Sequence, residues 1–253
     1  SCSLVGSEMC IRDRRGTHRL YVNHYGSYLK PLDRITDPNE ASNIIYQQLK
    51  SDIPCMIARY GSVEILCINN YLGINKFKHN IWNYITDKSP QFWWNKTGIQ
   101  SMQNNAGFFP LTEQNLERFA ELMIEDSKLV DILGSWRLEE RRLIDIENVK
   151  AVQLLLLEPY HAIHPWSRIL KGKKVLVIHP FAETIQQQYA NKRTLLFKNP
   201  EVLPEFQLET LKAVQSIGGQ SSFYTWFDAL QYMKNEIDKR DYDILSLIHI
   251  SEP

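Results

Sequence analysis

Three short, mostly apolar runs, each followed by a helical pattern, constrain this chain more than any other feature. They are Pro54–Ala58 (PCMIA), Ala151–Leu157 (AVQLLLL) and Lys174–Ile178 (KVLVI). Runs of this length without alternation suit strands covered on both faces, which is the environment of a parallel sheet. The helical patterns lie between them. Asp37-Pro38-Asn39-Glu40 combines a capping aspartate, a first-turn proline and an acid that complements the helix dipole. It predicts a helix to about Lys50 with Ile44, Ile45 and Leu49 on its buried face. Ser62 is placed to cap a helix carrying Ile65, Leu66, Ile68 and Leu72, and Thr112 one carrying Leu116, Phe119, Leu122 and Met123. Further helices are expected over 137–143, 166–170, 182–196 and 227–239, with short strands at 223–224 and from Asp243-Ile244. Alternation of this kind predicts an α/β fold: a Rossmann-like, mostly parallel sheet flanked by helices.

The chain has 253 residues, enough for one large domain or two small ones, and its 43% hydrophobic content can bury a substantial core. Its 29 basic and 29 acidic residues balance, which argues against a nucleic-acid partner held by bulk charge. No apolar run approaches the length of a membrane span and no signal peptide is legible, so a cytoplasmic location is expected. Both ends read differently from the rest. Ser3–Arg14 (SLVGSEMCIRDR) and Leu245–Pro253 (LSLIHISEP) resemble translated sequencing-adapter read-through. Residues 1–14 and 245–253 are therefore expected to be foreign and the fold to be truncated at its C-terminus. The native part would be a single domain over 15–244, as one body or as two lobes, 15–150 and 151–244. Cys2 and Cys10 then drop out, and Cys55 and Cys67, without a CxxC pattern, read as buried thiols of a reduced protein.

In parallel sheets ligands bind beyond the carboxyl ends of the strands. That rule singles out Arg59–Glu64, Glu158–His164 and His179–Glu183. In the first, a strand delivers Arg59 to its end, Gly61 permits a tight turn and a helix N-terminus follows. Guanidinium, free N–H groups and a positive helix end converge there on an anion, with Glu64 able to hold a divalent metal that bridges a diphosphate. Equally, Arg59 and Glu64 could pair, or Glu64 could only complement the dipole. In the third, His179 suits a general base or a phosphate donor and Glu183 a base or ligand, or Glu183 only caps a solvated helix. Farther along, Gln187, Tyr189, Lys192 and Arg193 make a polar, partly basic face. Glu158, His161 and His164 invite a metal reading, but Pro159 and Pro165 prevent one continuous helix, so a ligand-contacting or structural loop is the alternative. Trp82, Tyr84, Phe92, Trp93 and Trp94 form either a core or a platform for a sugar ring, and core is the expectation. Asn104, Asn105 and Gly107 could line a pocket. The chain has no GxxxxGK[ST], GxGxxG, GxSxG or HExxH motif.

With these segments on the page, the chain resembles GT-D-type glycosyltransferases, especially relatives from bacterial surface-polysaccharide gene clusters. The resemblance is carried by ARYGSVE (Ala58–Glu64), NNAGFFP (Asn104–Pro110), LEPY (Leu157–Tyr160), Pro165–Ile185 and TWFDAL (Thr225–Leu230), and extends over about Tyr21–Ile244. The family's first segment reads like RFGDGE. Arg59, Gly61 and Glu64 match it, Tyr60 replaces Phe, and Ser62 stands where the family has Asp. The resemblance implies a nucleotide-sugar donor, a glycan acceptor, and Mn or Mg held at Glu64. The resemblance carries over Arg59, Gly61 and Glu64; together with the strand-end readings above, the candidate catalytic residues are Glu64, His179 and Glu183, and the candidate substrate-binding residues Arg59, Tyr60, Gly61, Ser62, Asn105, Glu158, His161 and Arg193. It also implies a glycine-rich strand–loop–helix after Ile244. Because a hydroxyl is a poorer cation ligand than a carboxylate, Ser62 points to the alternative of a non-catalytic sugar-nucleotide or glycan-binding protein on the same scaffold.

Overall fold

The computed structural model describes residues 4–51, 53–144, 147–216 and 221–247. The expected α/β architecture is present, with its parallel strands distributed over two three-stranded sheets. In the first sheet β2 (Val130–Ser135) lies between β1 (Met56–Ala58) and β3 (Lys150–Gln153), with Ala58 opposite Leu133 and Leu133 opposite Ala151. In the second, β4 (Lys174–His179) lies between β5 (Gln207–Lys212) and β6 (Ile244–Leu247), with Val175 opposite both Leu208 and Ile244.

The central strand β2 escapes a reading of the sequence because Asp131, Gly134 and Ser135 break its apolar run. Each break has a structural use. The Asp131 carboxylate accepts the N–H of Met56 at 2.8 Å, tying β1 to β2 where their register slips. A side chain on Gly134 would collide with Leu157. The run Ala151–Leu157, expected as one strand, divides. Pairing ends at Ser135 opposite Gln153, and with no partner strand left the four leucines coil into a 3-10 turn over 154–157. Leu156 and Leu157 then pack with Ile45, Ile132 and Val152.

Helices α2 (Pro38–Lys50), α3 (Ser62–Asn75), α6 (Glu113–Ser127), α7 (Ala182–Leu196) and α8 (Trp226–Asp238) fall where the periodicity placed them, with α1 (Leu4–Tyr25), α4 (Ile81–Ile85) and α5 (Lys96–Asn104) in addition. Asp37 caps α2 through the N–H of Glu40 (2.8 Å) and Thr112 caps α6 through that of Asn115 (3.2 Å). At α3 the cap is Gly61, and Ser62 is the first helical residue. Residues 138–142 and 166–170 form 3-10 turns, and 223–224 is not a strand. α1 runs through position 14 without interruption, and β6 continues through Leu245 and Leu247, which lie opposite Leu176 and Ile178. Residues 1–3 and 248–253 of the two unusual ends lie outside the described residues. Among the described residues no helix is long and apolar enough to cross a membrane.

One helix joins the two halves. α8 opens with a reciprocal cap between Thr225 and Asp228, and its first residues, Trp226 and Phe227, enter a cluster with Phe108 and Phe119. Two and three turns later, Met233 and Ile237 pack against Leu176, Ile178 and Leu211 of the second sheet. The N–H of Trp226 also donates to the Phe109 carbonyl at 2.7 Å. Phe108, 1% exposed, is the shared centre of this aromatic cluster. Phe108→Ala is expected to lower unfolding free energy in urea by about 3–5 kcal/mol. A loss under about 1 kcal/mol would show that the cluster collapses without cost and does not hold α8.

Candidate functional site at the carboxyl edge of the first sheet

The carboxyl ends of β1 and β2 lie side by side and form one edge. β1 delivers Arg59, half-buried, to the turn before α3. Among the described residues its guanidinium has neither an ion pair nor a hydrogen bond, so the expected alternative of an Arg59–Glu64 pair is not formed. No side chain caps α3, which leaves its first-turn N–H groups without a side-chain acceptor. Glu64 stands in that first turn and folds back over Gly61, where a Cβ would collide with its carboxylate. The φ of Gly61, −74°, is open to any residue, so a side chain there would only oblige the Glu64 carboxylate to swing away from the turn.

Tyr60 alternates inward. It is buried, donates its hydroxyl to Ser127 Oγ at 2.6 Å, and burial raises its phenol pKa. Its side chain belongs to the core and only its backbone reaches the edge. There the Tyr60 carbonyl accepts the indole N–H of Trp136 at 3.0 Å, bringing a 39%-exposed aromatic beside the Arg59 turn. The chain bends at Trp136 because Glu140, fully buried, gathers the donors of the bend: the Ser135 hydroxyl at 2.6 Å and the backbone N–H groups of Trp136 and Arg137 at 3.2 and 3.1 Å. Burial raises the Glu140 carboxyl despite these hydrogen bonds and the charge of Arg34. Arg34 in turn donates to the Ser135 carbonyl at 3.1 Å. Trp136 and Glu140 were not anticipated. The acid three residues after Arg137 is a helix-start signal of the capping-box kind, recognisable once β2 is known.

The remaining expected site residues lie elsewhere. His179 ends β4 in the second sheet, 4% exposed, with its Nδ1 accepting the Phe181 N–H at 3.0 Å. Glu183 is exposed in the first turn of α7. Arg193 is not with them. At 1.5 Å per residue it stands roughly 16 Å down α7 from Ala182, where it meets the Leu203 carbonyl (3.4 Å) and Glu205 (3.6 Å) just before β5 begins. That is the amino edge of the sheet. Glu158 and His161 pair with each other at 3.5 Å in the segment joining the sheets, Tyr160 donates to Glu158, and His164 pairs with Glu201 at 3.4 Å. Asn105 is exposed at the end of α5. Among the described residues no three His, Cys, Asp or Glu side chains group to hold a metal ion. Of the aromatics, Tyr84 is core and packs edge-on against Trp93 at 4.9 Å, whereas Trp82 is exposed.

Beyond the bend at Trp136 a second polar cluster surrounds Asp87, which takes φ +59°. Its carboxylate accepts the Ser27 hydroxyl and faces His18 Nε2 at 3.5 Å and Arg142 Nη2 at 3.9 Å. Arg142 also donates to Asn69 Oδ1 at 3.2 Å and to the Asp87 carbonyl at 3.3 Å. Burial alone would raise the Asp87 pKa; the hydrogen bonds from His18 and Ser27 and the charge of Arg142 outweigh it and hold the carboxyl below its ordinary value. A depressed pKa stabilises the folded state above the unfolded-state value and loses that stabilisation as pH falls through the folded value. Urea midpoints should therefore drop below about pH 4, and Asp87→Asn should flatten that acid limb while preserving the left-handed backbone. An unchanged acid limb would assign it to other carboxyls.

Comparison with known protein families, with curated proteins and with solved structures finds no match for the chain.

Proposed function

We propose that this edge binds the diphosphate of a nucleoside-diphosphate sugar and that the protein is a glycosyltransferase of cytoplasmic surface-polysaccharide assembly. The observation that carries the reading is the unpaired, half-buried Arg59 beside the side-chain-uncapped N-terminus of α3. Both are charge complements to an anion, and among the described residues the guanidinium has no partner and no side chain caps the helix. In transfer, the acceptor hydroxyl oxygen bonds to the anomeric carbon as that carbon's bond to the diphosphate breaks. The electron pair leaves with the diphosphate, where Arg59 and the α3 N–H groups offset the developing charge. The hydroxyl proton passes to the Glu64 carboxylate, which Gly61 gives room to lie across the turn. Trp136 offers a face for the nucleotide base.

A Mn or Mg ion would find one carboxylate here, Glu64, with the Ser62 hydroxyl in the same turn, and would take its other ligands from the diphosphate and water, as Mg commonly does. Bound, it would neutralise the diphosphate. His179 and Glu183 stand at the edge of the other sheet and take no part in this reading. A second reading, a non-catalytic sugar-nucleotide binder, is favoured by Ser62 in place of an acid.

Thermal-shift titration with UDP-, GDP- and dTDP-sugars, with and without Mn or Mg, tests the reading. One nucleotide class should raise Tm, and Arg59→Ala should weaken it about 10–100-fold, the worth of a charge-assisted hydrogen bond. Glu64→Gln should retain binding and lose roughly 10²–10⁴-fold in transfer rate. Binding without transfer by the wild-type chain would select the second reading, and no shift with any nucleotide sugar would remove both.

A further inference from the structure

A groove of about 350 Å³ lies where the end of α1 and the chain from Gly26 to Lys30 meet the segment after α4. Tyr21, Tyr25, Tyr28, Lys30 and Lys88 line it. Its two other polar side chains are committed: Ser27 gives its hydroxyl to Asp87, and Thr86 gives its own to the Trp82 carbonyl at 2.9 Å. The ammonium groups and phenols are not. Among the described residues none of the five has an ion pair or a side-chain hydrogen bond. Tyr25, Tyr28, Lys30 and Lys88 are all exposed, so a molecule in the groove touches them directly.

The charge here is one-sided. No carboxylate lines the groove. The stretches of chain that lead into it hold no acid over 14–32 or 65–86, against Arg14, Arg15, Arg19, Lys30, Lys76 and Lys78. Asp87, which follows, is turned to Ser27, His18 and Arg142. In a protein whose 29 basic and 29 acidic residues balance, such a concentration selects an anion. The rings add a second demand. Tyr21 and Tyr25 lie 4.8 Å apart, and the Lys88 ammonium stands 5.9 Å from the Tyr28 ring centre. Trp82, 64% exposed, meets Tyr21 edge-on at 6.4 Å and continues the aromatic surface past the groove. Aromatic faces with free phenol tips suit a ligand that is apolar on its ring face and hydroxylated at its rim. The volume, near the lower end of the roughly 300–1,000 Å³ of ligand pockets, suits one such ring, with Trp82 placed for a second.

We infer that this groove binds an acidic glycan through a uronate unit. The carboxylate meets Lys30 and Lys88, the hydroxyls meet the tyrosine phenols, and the C–H face of the ring lies on an aromatic side chain. Other anionic partners fit less well. None of the lining residues is in a strand, so an acidic peptide would find no edge for its backbone. A bilayer surface is flat and would leave the concavity unfilled. A single-stranded nucleic acid spans about 4–16 nucleotides of a binding groove, more phosphates than two lysines neutralise. The site is separate from the diphosphate reading, because Arg59 and Glu64 are not among its lining residues.

The test is isothermal titration of the full chain with trigalacturonate, set against maltotriose, an oligothymidylate, and vesicles of phosphatidylcholine and phosphatidylglycerol. Trigalacturonate should saturate with Kd on the order of 1 mM or below, and maltotriose should bind at least about tenfold more weakly. Lys30→Gln combined with Lys88→Gln should weaken trigalacturonate about tenfold or more, the worth of a charge-assisted hydrogen bond. Tyr25→Ala should weaken it about 2–10-fold, and Tyr28→Ala repeats that measurement should the first variant misfold. All four positions are exposed, so Tm should hold. Arg59→Ala should leave trigalacturonate binding unchanged, which separates this site from the edge. The proposal is overturned by no saturation with trigalacturonate, by maltotriose binding as well, or by wild-type affinity in the folded lysine or tyrosine variants. Tighter binding of the oligothymidylate or of the vesicles also overturns it, and assigns the groove to nucleic acid or to a membrane surface.

Discussion

The buried carboxylate of Glu140 is the interaction on which the half of this protein that carries the candidate edge depends. It collects one hydroxyl and two backbone N–H groups at the point where β2 ends. Those donors would otherwise be buried without partners, a cost that keeps the bend closed. Two consequences follow from the same bend. Trp136 is turned back on the Tyr60 carbonyl, beside Arg59, and the next turn carries Glu139 and Arg142 beyond the edge. The positions of Trp136 at the edge and of Glu139 and Arg142 beyond it are thus set from one buried carboxylate. Removing such a group leaves stranded donors as well as a lost contact, so its neighbours would shift together.

The second organising constraint is α8. A crossover helix in a parallel sheet ordinarily serves its own sheet. This one divides its length, with an aromatic start in the cluster around Phe108 and an aliphatic end on the second sheet. The loop around Gly107 is held from the same side, where Ser216 donates to the Gly107 carbonyl at 2.6 Å. Among the described residues, two three-stranded sheets share a helix. The expected site residues divide accordingly: Arg59 and Glu64 belong to the first sheet, His179 and Glu183 to the second, and Arg193 to the second sheet's opposite edge.

The helices were legible because their signals are local. The cap at Asp37, the cap at Thr112 and the 182–196 period each reside in a few adjacent residues, and the helices formed there. β2 was not legible because its identity is non-local. Asp131 and Gly134 look like strand breakers until Met56 and Leu157 are known to lie against them. The leucine run 154–157 erred in the opposite direction, since its composition suits a strand while its partner had already ended. At the candidate site, the strand–turn–helix arrangement of Arg59, Gly61 and Glu64 was legible because its pattern is local. Trp136, Glu140 and the groove of Lys30 and Lys88 were not, because their partners are drawn from distant parts of the chain.

By itself, then, the sequence determined the α/β class, most helix boundaries and the Arg59–Glu64 turn, since each depends on residues within one helical turn or strand of one another. Only the tertiary structure decided that there are two sheets, that Tyr60 faces inward while Trp136 occupies its edge, that Arg193 stands far from His179, and that Asp87 meets Arg142. Those outcomes depend on which buried donor finds which acceptor across tens of residues. Satisfying such pairs is a property of the packed whole, to which no short window of sequence has access.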